Sequence, residues 1–297
     1  MELPIVLVTG KNGQLGSELQ QLALQYTNQY HFVFTDKSEL DITNPDAIRD
    51  FFEQHNPQFC INCAAYTAVD KAETQQQQAY AVNAEAVNRL AKACSANNSV
   101  FISFSTDYVF DGTANQPYAP NHITNPINYY GYSKYMGEQL ALSNCEKTII
   151  IRTSWVYSSY GHNFVKTMLR LMNERKEINV VNDQYGCPTY AADLAKAVVD
   201  ILQLLKTNSI QPFPNGIYHY ANAGVISWFQ FAQAIQQLTQ LPCKVNHITS
   251  SAYPTVAKRP AFSVLNTEKI MQVFGLQPQQ WQQSLQHCLT VLKVIPG

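Results

Sequence analysis

An apolar, β-branched run, Ile5-Val6-Leu7-Val8-Thr9, passes directly into Gly10-Lys11-Asn12-Gly13-Gln14-Leu15-Gly16 and then into helical spacing through Leu15, Leu19, Leu22 and Ala23. A strand that turns into a helix through closely spaced glycines is a βα unit, and a βα unit commits the chain to a parallel sheet. The glycines have three uses there. They allow the tight turn, they bring backbone N–H groups close to a pyrophosphate, and they let helix and strand pack closely. The helix N-terminus then presents its partial positive charge to the anion. The spacing is GxxGxxG rather than GxGxxG.

The same alternation continues along the first half. Strands are predicted over 31–36, 59–63, 100–105 and 148–152, with helices over 14–26, 44–55, 75–97 and 133–143. Asn44 is placed as an N-cap with Pro45 at the first helical position. The second half is less regular, with helices predicted over 164–174, 191–205, 228–238 and 281–292 and short strands over 178–181 and 217–220. The expected fold class is α/β: a Rossmann-type doubly wound parallel sheet with a smaller C-terminal α/β substrate-binding domain. Residues 1–157 are assigned to the dinucleotide-binding domain, with segments near 190–225 packing back onto it. Residues 158–297 are assigned mainly to the substrate domain.

Composition narrows the partners. The 297 residues carry a net charge of −1, so no bulk attraction to nucleic acid or to an anionic membrane surface is expected. No apolar run approaches the roughly 20 residues of a membrane span. The N-terminal stretch has no basic region, long apolar core and small-residue cleavage site in series, and the expected compartment is the cytoplasm. Seven cysteines, an odd number spread from Cys60 to Cys288, do not form a disulfide framework. Cys60 and Cys63 match CxxC, but i and i+3 of an extended strand point to opposite faces and do not share a ligand easily.

Asp36 closes the second predicted strand, 20 residues after Gly16, where an acid binds the adenosine ribose 2′-OH. The alternative is a turn residue at the strand end. An acid there favours NADH, while the adjacent Lys37 leaves room for NADPH. Asp41-Ile42 is placed near the adenine. Further on, Tyr130 and Lys134 stand at i and i+4, on one face of a helix one turn apart. Such a pair suits ketone reduction: the ammonium is expected to lower the tyrosine's pKa from about 10, so that the hydroxyl exchanges a proton near neutral pH. Thr106, just past the fourth strand, is placed to hydrogen-bond the same oxygen.

With these features the chain resembles the extended short-chain dehydrogenase/reductases, and within them the dTDP-4-dehydrorhamnose reductase family. The resemblance is carried by GKNGQLG (10–16), NCAAYTAVDKAE (62–73) with Asn83, STDYVFDG (105–112), YGYSKYMGE (130–138), RTSWVY (152–157), GHNF (161–164), DQYGCPT (183–189) and RPAFSVLN (259–266). It implies a catalytic triad of Thr106, Tyr130 and Lys134. It implies a cofactor, NADPH or NADH, held by Gly10, Asn12, Gly13, Gln14, Leu15, Asp36, Asp41, Ile42, Ala64, Ala65, Tyr66 and Lys134. It implies a dTDP-sugar meeting Val69, Thr106, Tyr108, Phe110, Tyr130, Trp155, Asn163, Gln184 and Arg259. Trp155 offers a flat apolar face to a deoxysugar, and Arg259 a cation to the diphosphate. The alternatives are that Trp155 and Phe110 are core and that Arg259 pairs with a surface carboxylate. The implied reaction is reduction of the C4 ketone of dTDP-4-dehydro-L-rhamnose to dTDP-L-rhamnose, for rhamnose-containing cell-surface polysaccharide.

Other relatives are non-catalytic, dinucleotide-binding regulators of methionine adenosyltransferase; an intact Thr106, Tyr130 and Lys134 weigh against that reading, and a reductase giving the other C4 epimer stays open. A dehydratase would carry Asp-Glu after the threonine, and here Asp107-Tyr108 follows. Some reductases of the family are dimers bridged by Mg²⁺ through clustered glutamates. Here Ala192 stands where the first glutamate aligns, and no Asp or Glu follows Glu268. Neutral glutamines hold Mg²⁺ weakly, so no metal is expected, and the assembly is expected to be a monomer or a metal-free homodimer.

Overall fold

The computed structural model describes residues 2–296. The first half builds β1 (Ile5–Thr9), α1 (Gln14–Ala23), β2 (His31–Thr35), α2 (Pro45–His55) and β3 (Phe59–Asn62). There follow α3 (Val69–Ala72), α4 (Gln76–Tyr80), a π-helical turn (Ala81–Glu85), α5 (Ala86–Ala96), β4 (Val100–Thr106), α6 (Tyr129–Asn144) and β5 (Thr148–Thr153). β1, β3 and β5 are buried along nearly their whole length because both faces of a parallel sheet are covered by helices. α2 starts where expected: the Asn44 side chain accepts from the Asp46 and Ala47 N–H groups, with Pro45 at the first helical position.

The remaining elements are β6 (Val156–Tyr157), α7 (Phe164–Glu174), β7 (Glu177–Val181), β8 (Tyr185–Gly186), β9 (Thr189–Tyr190) and α8 (Ala191–Lys206). They continue with β10 (Gly216–His219), β11 (Ile226–Ser227), α9 (Trp228–Thr239), β12 (Lys244–Ile248), α10 (Glu268–Phe274) and α11 (Trp281–Val291).

The main sheet has six parallel strands in the order β2-β1-β3-β4-β5-β10. The strand order reverses between β1 and β3, and the crevice beyond their C-terminal ends is where open α/β sheets bind ligands. One face carries a core shared by α1, α8 and α10, with Leu19, Val198 and Phe274 against Val8 and Ile151. The other is covered by α2, α5 and α6 through residues such as Phe52, Leu90 and Ala141. A separate core lies among α7, α9, α11 and β7, around Met168, Phe231, Ile178 and Leu285. Among the described residues no helix is long and apolar enough to cross a membrane.

Three local features differ from the expectation. The helix predicted over 75–97 is interrupted by the π turn, which sits at a close contact: a Cβ on Gly137 of α6 would stand 2.1 Å from the Asn83 carbonyl oxygen. α6 begins four residues before the predicted start, because Asn128 caps it by accepting from the Gly131 N–H at 2.8 Å. β12, α3, α10 and the two-residue strands β6, β8, β9 and β11 were not expected; β12 pairs in parallel with β7. Strands of two residues carry no periodicity to read, and they exist through their tertiary partners.

Candidate active site

A cavity of about 300 Å³ opens at the β1/β3 switch point, between Thr9-Gly10 on one side and Cys63-Ala64-Ala65 on the other. Gly10 has φ +71°, and a Cβ there would lie 2.6 Å from the Ala64 nitrogen. Only glycine serves both the left-handed turn and the close approach. The N-terminus of α1 has no side-chain cap, so the N–H groups of its first turn, including those of Gln14 and Leu15, remain available to an anion. The Leu15 side chain itself packs on the core. The residues therefore fit a dinucleotide: a cradle that a Cβ would fill, facing a free helix end.

The outer rim of this cavity is formed by Asp36, Lys37, Leu40, Asp41 and Ile42. Asp36 accepts from Asn12 Nδ2 at 2.9 Å and from the Ser38 hydroxyl and N–H at 2.6 and 2.9 Å. The Ser38 hydrogen bonds, with Asn12 and Lys11 adding, hold its carboxyl down at about 2, so it is an anion at any working pH. It is thus both a turn residue and the acid at the strand end. Lys11 pairs with Glu39 at 2.5 Å and lies 4.0 Å from Asp36, and Lys37 lies 3.9 Å from Asp41. Asp41 accepts from the Thr43 N–H and hydroxyl, which fixes the turn that brings Ile42 to the cavity. Tyr66 is clamped from both sides by Asn83, which accepts from the Tyr66 N–H and donates to its carbonyl, each at 2.9 Å. The second amide hydrogen of Asn83 goes to Ser133 on α6.

Thr106 ends β4, and Tyr130 and Lys134 occupy the first two turns of α6. α6 approaches the Thr106–Tyr108 turn so closely that a Cβ on Gly131 would stand 2.1 Å from the Tyr108 carbonyl oxygen. The Tyr108 and Tyr130 rings meet edge to face, centroids 6.0 Å apart. Burial pushes the Tyr130 hydroxyl up to about 12; Asp107 adds to this and the Thr106 hydroxyl works against it. Burial likewise brings Lys134 down to about 8, opposed by Glu138. The expectation that Lys134 lowers Tyr130 is therefore corrected: removal from water raises the hydroxyl, and the group that lowers it is Thr106. A protonated phenol is the form a proton donor needs.

A second cavity, about 480 Å³, lies against α7 and β7 and includes Gln184, Arg259, Trp228, Tyr253 and Thr255 in its wall. Arg259 forms a forked pair with Asp70 of α3, Nη2 to Oδ2 at 2.8 Å and Nη1 to Oδ1 at 3.2 Å. The carboxylate alternative is thus realised. Val69 begins the same α3. Gln184 donates to Ser250 at 2.9 Å. Trp155 has φ +49°, a strained conformation for a large residue, and stacks face to face on Trp228 at 3.6 Å.

A family model described as the RmlD substrate binding domain matches residues 4–294. The chain belongs to the dTDP-4-dehydrorhamnose reductase family. It is 43% identical over 288 residues to the dTDP-4-dehydrorhamnose reductase of Aggregatibacter actinomycetemcomitans, covering 95% of this chain and 97% of that one. Against the enzyme of Salmonella typhimurium the identity is 38% over 292 residues, covering 96% and 97%. The crystal structure of a dTDP-4-dehydrorhamnose reductase from Bacillus anthracis in complex with NADP superposes with a TM-score of 0.91 at 37% identity, covering 98% of this chain and all of that one. The Clostridium acetobutylicum reductase gives 0.90 at 38%, covering 97% and 99%.

Within this reductase-family site one expected sugar contact, Phe110, is corrected. Phe110 is 0% exposed; its ring stacks on Tyr118 at 4.1 Å under the Arg152 guanidinium, so it is core and presents no surface to a ligand. Asn163 is the N-cap of α7, accepting from the Lys166 N–H and donating to Gln14 Oε1 at 3.0 Å and to the Ser158 carbonyl at 2.7 Å. Its amide ties α7 to the glycine turn. The sequence reading missed Trp228, Tyr253, Asp70 and Asp107 as site residues. Only Asp107 left a signal, its position between the catalytic threonine and Tyr108. Cys60 and Cys63 lie on opposite faces of the sheet, and Cys63 faces the cofactor cavity.

Proposed function

We propose that this reductase-family member converts dTDP-4-dehydro-L-rhamnose to dTDP-L-rhamnose. The observation that carries the proposal is that α6, packed against the turn after Thr106, brings Tyr130 and the buried Lys134 to the C-terminal end of β4, on the same edge of the parallel sheet as the glycine-turn cavity. Gly10, Gly13 and the first turn of α1 hold the dinucleotide's pyrophosphate, Asp36 and Ile42 its adenosine, and Ala64, Ala65 and Lys134 its nicotinamide half. The reduced dinucleotide, when bound, supplies the hydride to C4. Tyr130 gives its proton to O4 as charge develops there. Thr106 orients the same oxygen, and the Lys134 ammonium stabilises the phenolate left behind. Trp155 and Trp228 wall the deoxysugar, and Arg259 faces the diphosphate. Residues 1–157, with β10 and α8, form the cofactor unit, and the remainder the sugar-nucleotide unit.

The test is direct. Mixing the purified protein with NAD(P)H and the keto-sugar nucleotide should consume reduced cofactor and give dTDP-L-rhamnose by NMR. Binding without consumption would leave only the regulatory reading, and a product with the other C4 configuration would overturn the stereochemical one.

Cofactor preference follows from Asp36. Both nicotinamide cofactors are expected to work, since Lys11 and Lys37 flank the acid. Asp36→Ala should shift the NADH/NADPH ratio of kcat/KM toward NADPH by about tenfold, the worth of a hydrogen bond to a charged group. An unchanged ratio would remove Asp36 from the ribose.

We further propose a monomer or metal-free homodimer working in the cytoplasm. Among the described residues no group of three or more His, Cys, Asp or Glu is placed to hold a metal ion. Dialysis against EDTA should alter neither turnover nor sedimentation coefficient. Activity that only Mg²⁺ restores, or an oligomer that dissociates on chelation, would contradict this.

A further inference from the structure

A threonine hydroxyl has one proton, and beside an ionised Asp107 its direction is assigned by its neighbours, because a carboxylate oxygen can only accept. The Tyr108 N–H donates to Thr106 Oγ1 at 3.2 Å, and Thr106 Oγ1 donates to Asp107 Oδ1 at 3.0 Å. With its proton committed to Asp107, Thr106 offers the site only a lone pair. A ketone oxygen is itself an acceptor and gains nothing from a lone pair. The hydroxyl must therefore turn before it can serve the oxygen that Tyr130 protonates.

Asp107 has the surroundings to control that turn. It is 2% exposed, and its Oδ2 is buried without a hydrogen-bond partner. The Ser263 hydroxyl lies between the carboxyl and the Tyr185 carbonyl, 3.5 Å from the latter, and its one proton is shared between them. The titratable groups facing Asp107 are Tyr108 on its own turn, Tyr130 from α6 and Cys187 from the link between β8 and β9, and none of them is a cation. A buried carboxylate with an unsatisfied oxygen and no counter-charge is costly, and a proton relieves the cost.

We propose that Asp107 is a positioning residue whose carboxyl proton sets the direction of the Thr106 hydroxyl. When Asp107 is protonated, its O–H donates to Thr106 Oγ1, which accepts from it and from the Tyr108 N–H together, and the threonine proton is released toward the substrate oxygen. When Asp107 is ionised the proton points back into the protein. No proton is gained or lost by Thr106; the pair exchanges donor and acceptor roles. The inference rests on the reading of Thr106 as the residue that contacts the carbonyl oxygen. Burial holds Asp107 up at about 6, opposed by the Ser263 and Thr106 hydroxyls, so both forms are accessible near neutral pH. Protonation belongs to the acid side, so donor orientation is complete below that value and lost as pH rises through it.

The experiment is the pH profile of the single-turnover reduction rate between pH 5 and 7.5, at saturating cofactor and keto-sugar nucleotide. The wild type should lose about tenfold to a hundredfold along an alkaline-going limb, the scale of one donor to a developing oxyanion. Asp107→Asn donates permanently to Thr106 through its amide, so the limb should vanish and the pH 7.5 rate should exceed the wild type's. A limb retained in Asp107→Asn, or a pH 7.5 rate no higher than the wild type's, overturns the proposal. If Asp107→Asn does not fold, Thr106→Ser should keep the limb and Thr106→Val, slower overall, should lose it; a slow Thr106→Val that keeps the limb overturns the proposal equally. Thr106→Val at the wild-type rate across the range would instead remove Thr106 from the carbonyl, and the reading beneath the inference would fall with it.

Discussion

Tyr130→Phe should lower kcat by at least about a hundredfold while leaving dinucleotide affinity nearly unchanged. The substitution removes one oxygen and keeps the ring, so the edge-to-face contact with Tyr108 survives. Burial keeps the Tyr130 hydroxyl protonated to about pH 12, so in the wild type no alkaline limb should arise from this group at working pH. An alkaline loss above about 8 belongs to Lys134, whose charge is gone above that value. Steady-state turnover and a cofactor titration on the same variant decide the matter. Near-normal turnover would remove Tyr130 from proton transfer.

The second large effect is on stability. Glu138, one turn beyond Lys134 on α6, holds Arg152 of β5 through two hydrogen bonds, Nη2 to Oε2 at 2.6 Å and Nε to Oε1 at 2.8 Å. Both side chains are 1% exposed. Arg152 also donates to the Pro120 carbonyl at 3.2 Å and lies over the Phe110 ring. Glu138→Ala leaves a buried guanidinium without its counter-ion. Denaturant unfolding should show a loss of about 3–5 kcal/mol, the usual consequence of breaking a buried pair from one side. A loss below about 1 kcal/mol would mean that water reaches Arg152 or that another acid replaces Glu138. The intact pair is not thereby a large net stabiliser, since desolvation offsets most of its attraction.

The parts of this site that a sequence can reveal are those with short-range rules. Gly10 and Gly16 sit where a strand must turn into a helix past a phosphate, and no other residue type meets that demand. Tyr130 and Lys134 are one helical turn apart, so their common face follows from spacing alone. Phe110 shows where such rules stop. An aromatic just past a strand looks the same whether it lines a cleft or fills the core, and here Tyr118 and Arg152 decide for the core. Asn163 is a similar case, since an amide at a helix start serves capping as well as recognition. Arg259 meets Asp70 across 189 residues of chain, and Trp155 meets Trp228 across every element from β6 to β11; no local pattern carries contacts of that range. The start of α6 was placed late because Gly131 and a run of tyrosines are poor helix formers, and the Asn128 cap and the packing on Tyr108 supply what propensity lacks.

The central claim is hydride transfer to C4 of the sugar with proton delivery to O4 by Tyr130. It is tested most directly by following the label from cofactor deuterated at the transferable position of its nicotinamide into dTDP-4-dehydro-L-rhamnose, with the product examined by NMR. The expected product is dTDP-L-rhamnose carrying one deuterium, at C4. Cofactor that binds without losing its label, deuterium at another carbon, or the opposite configuration at C4 would contradict it.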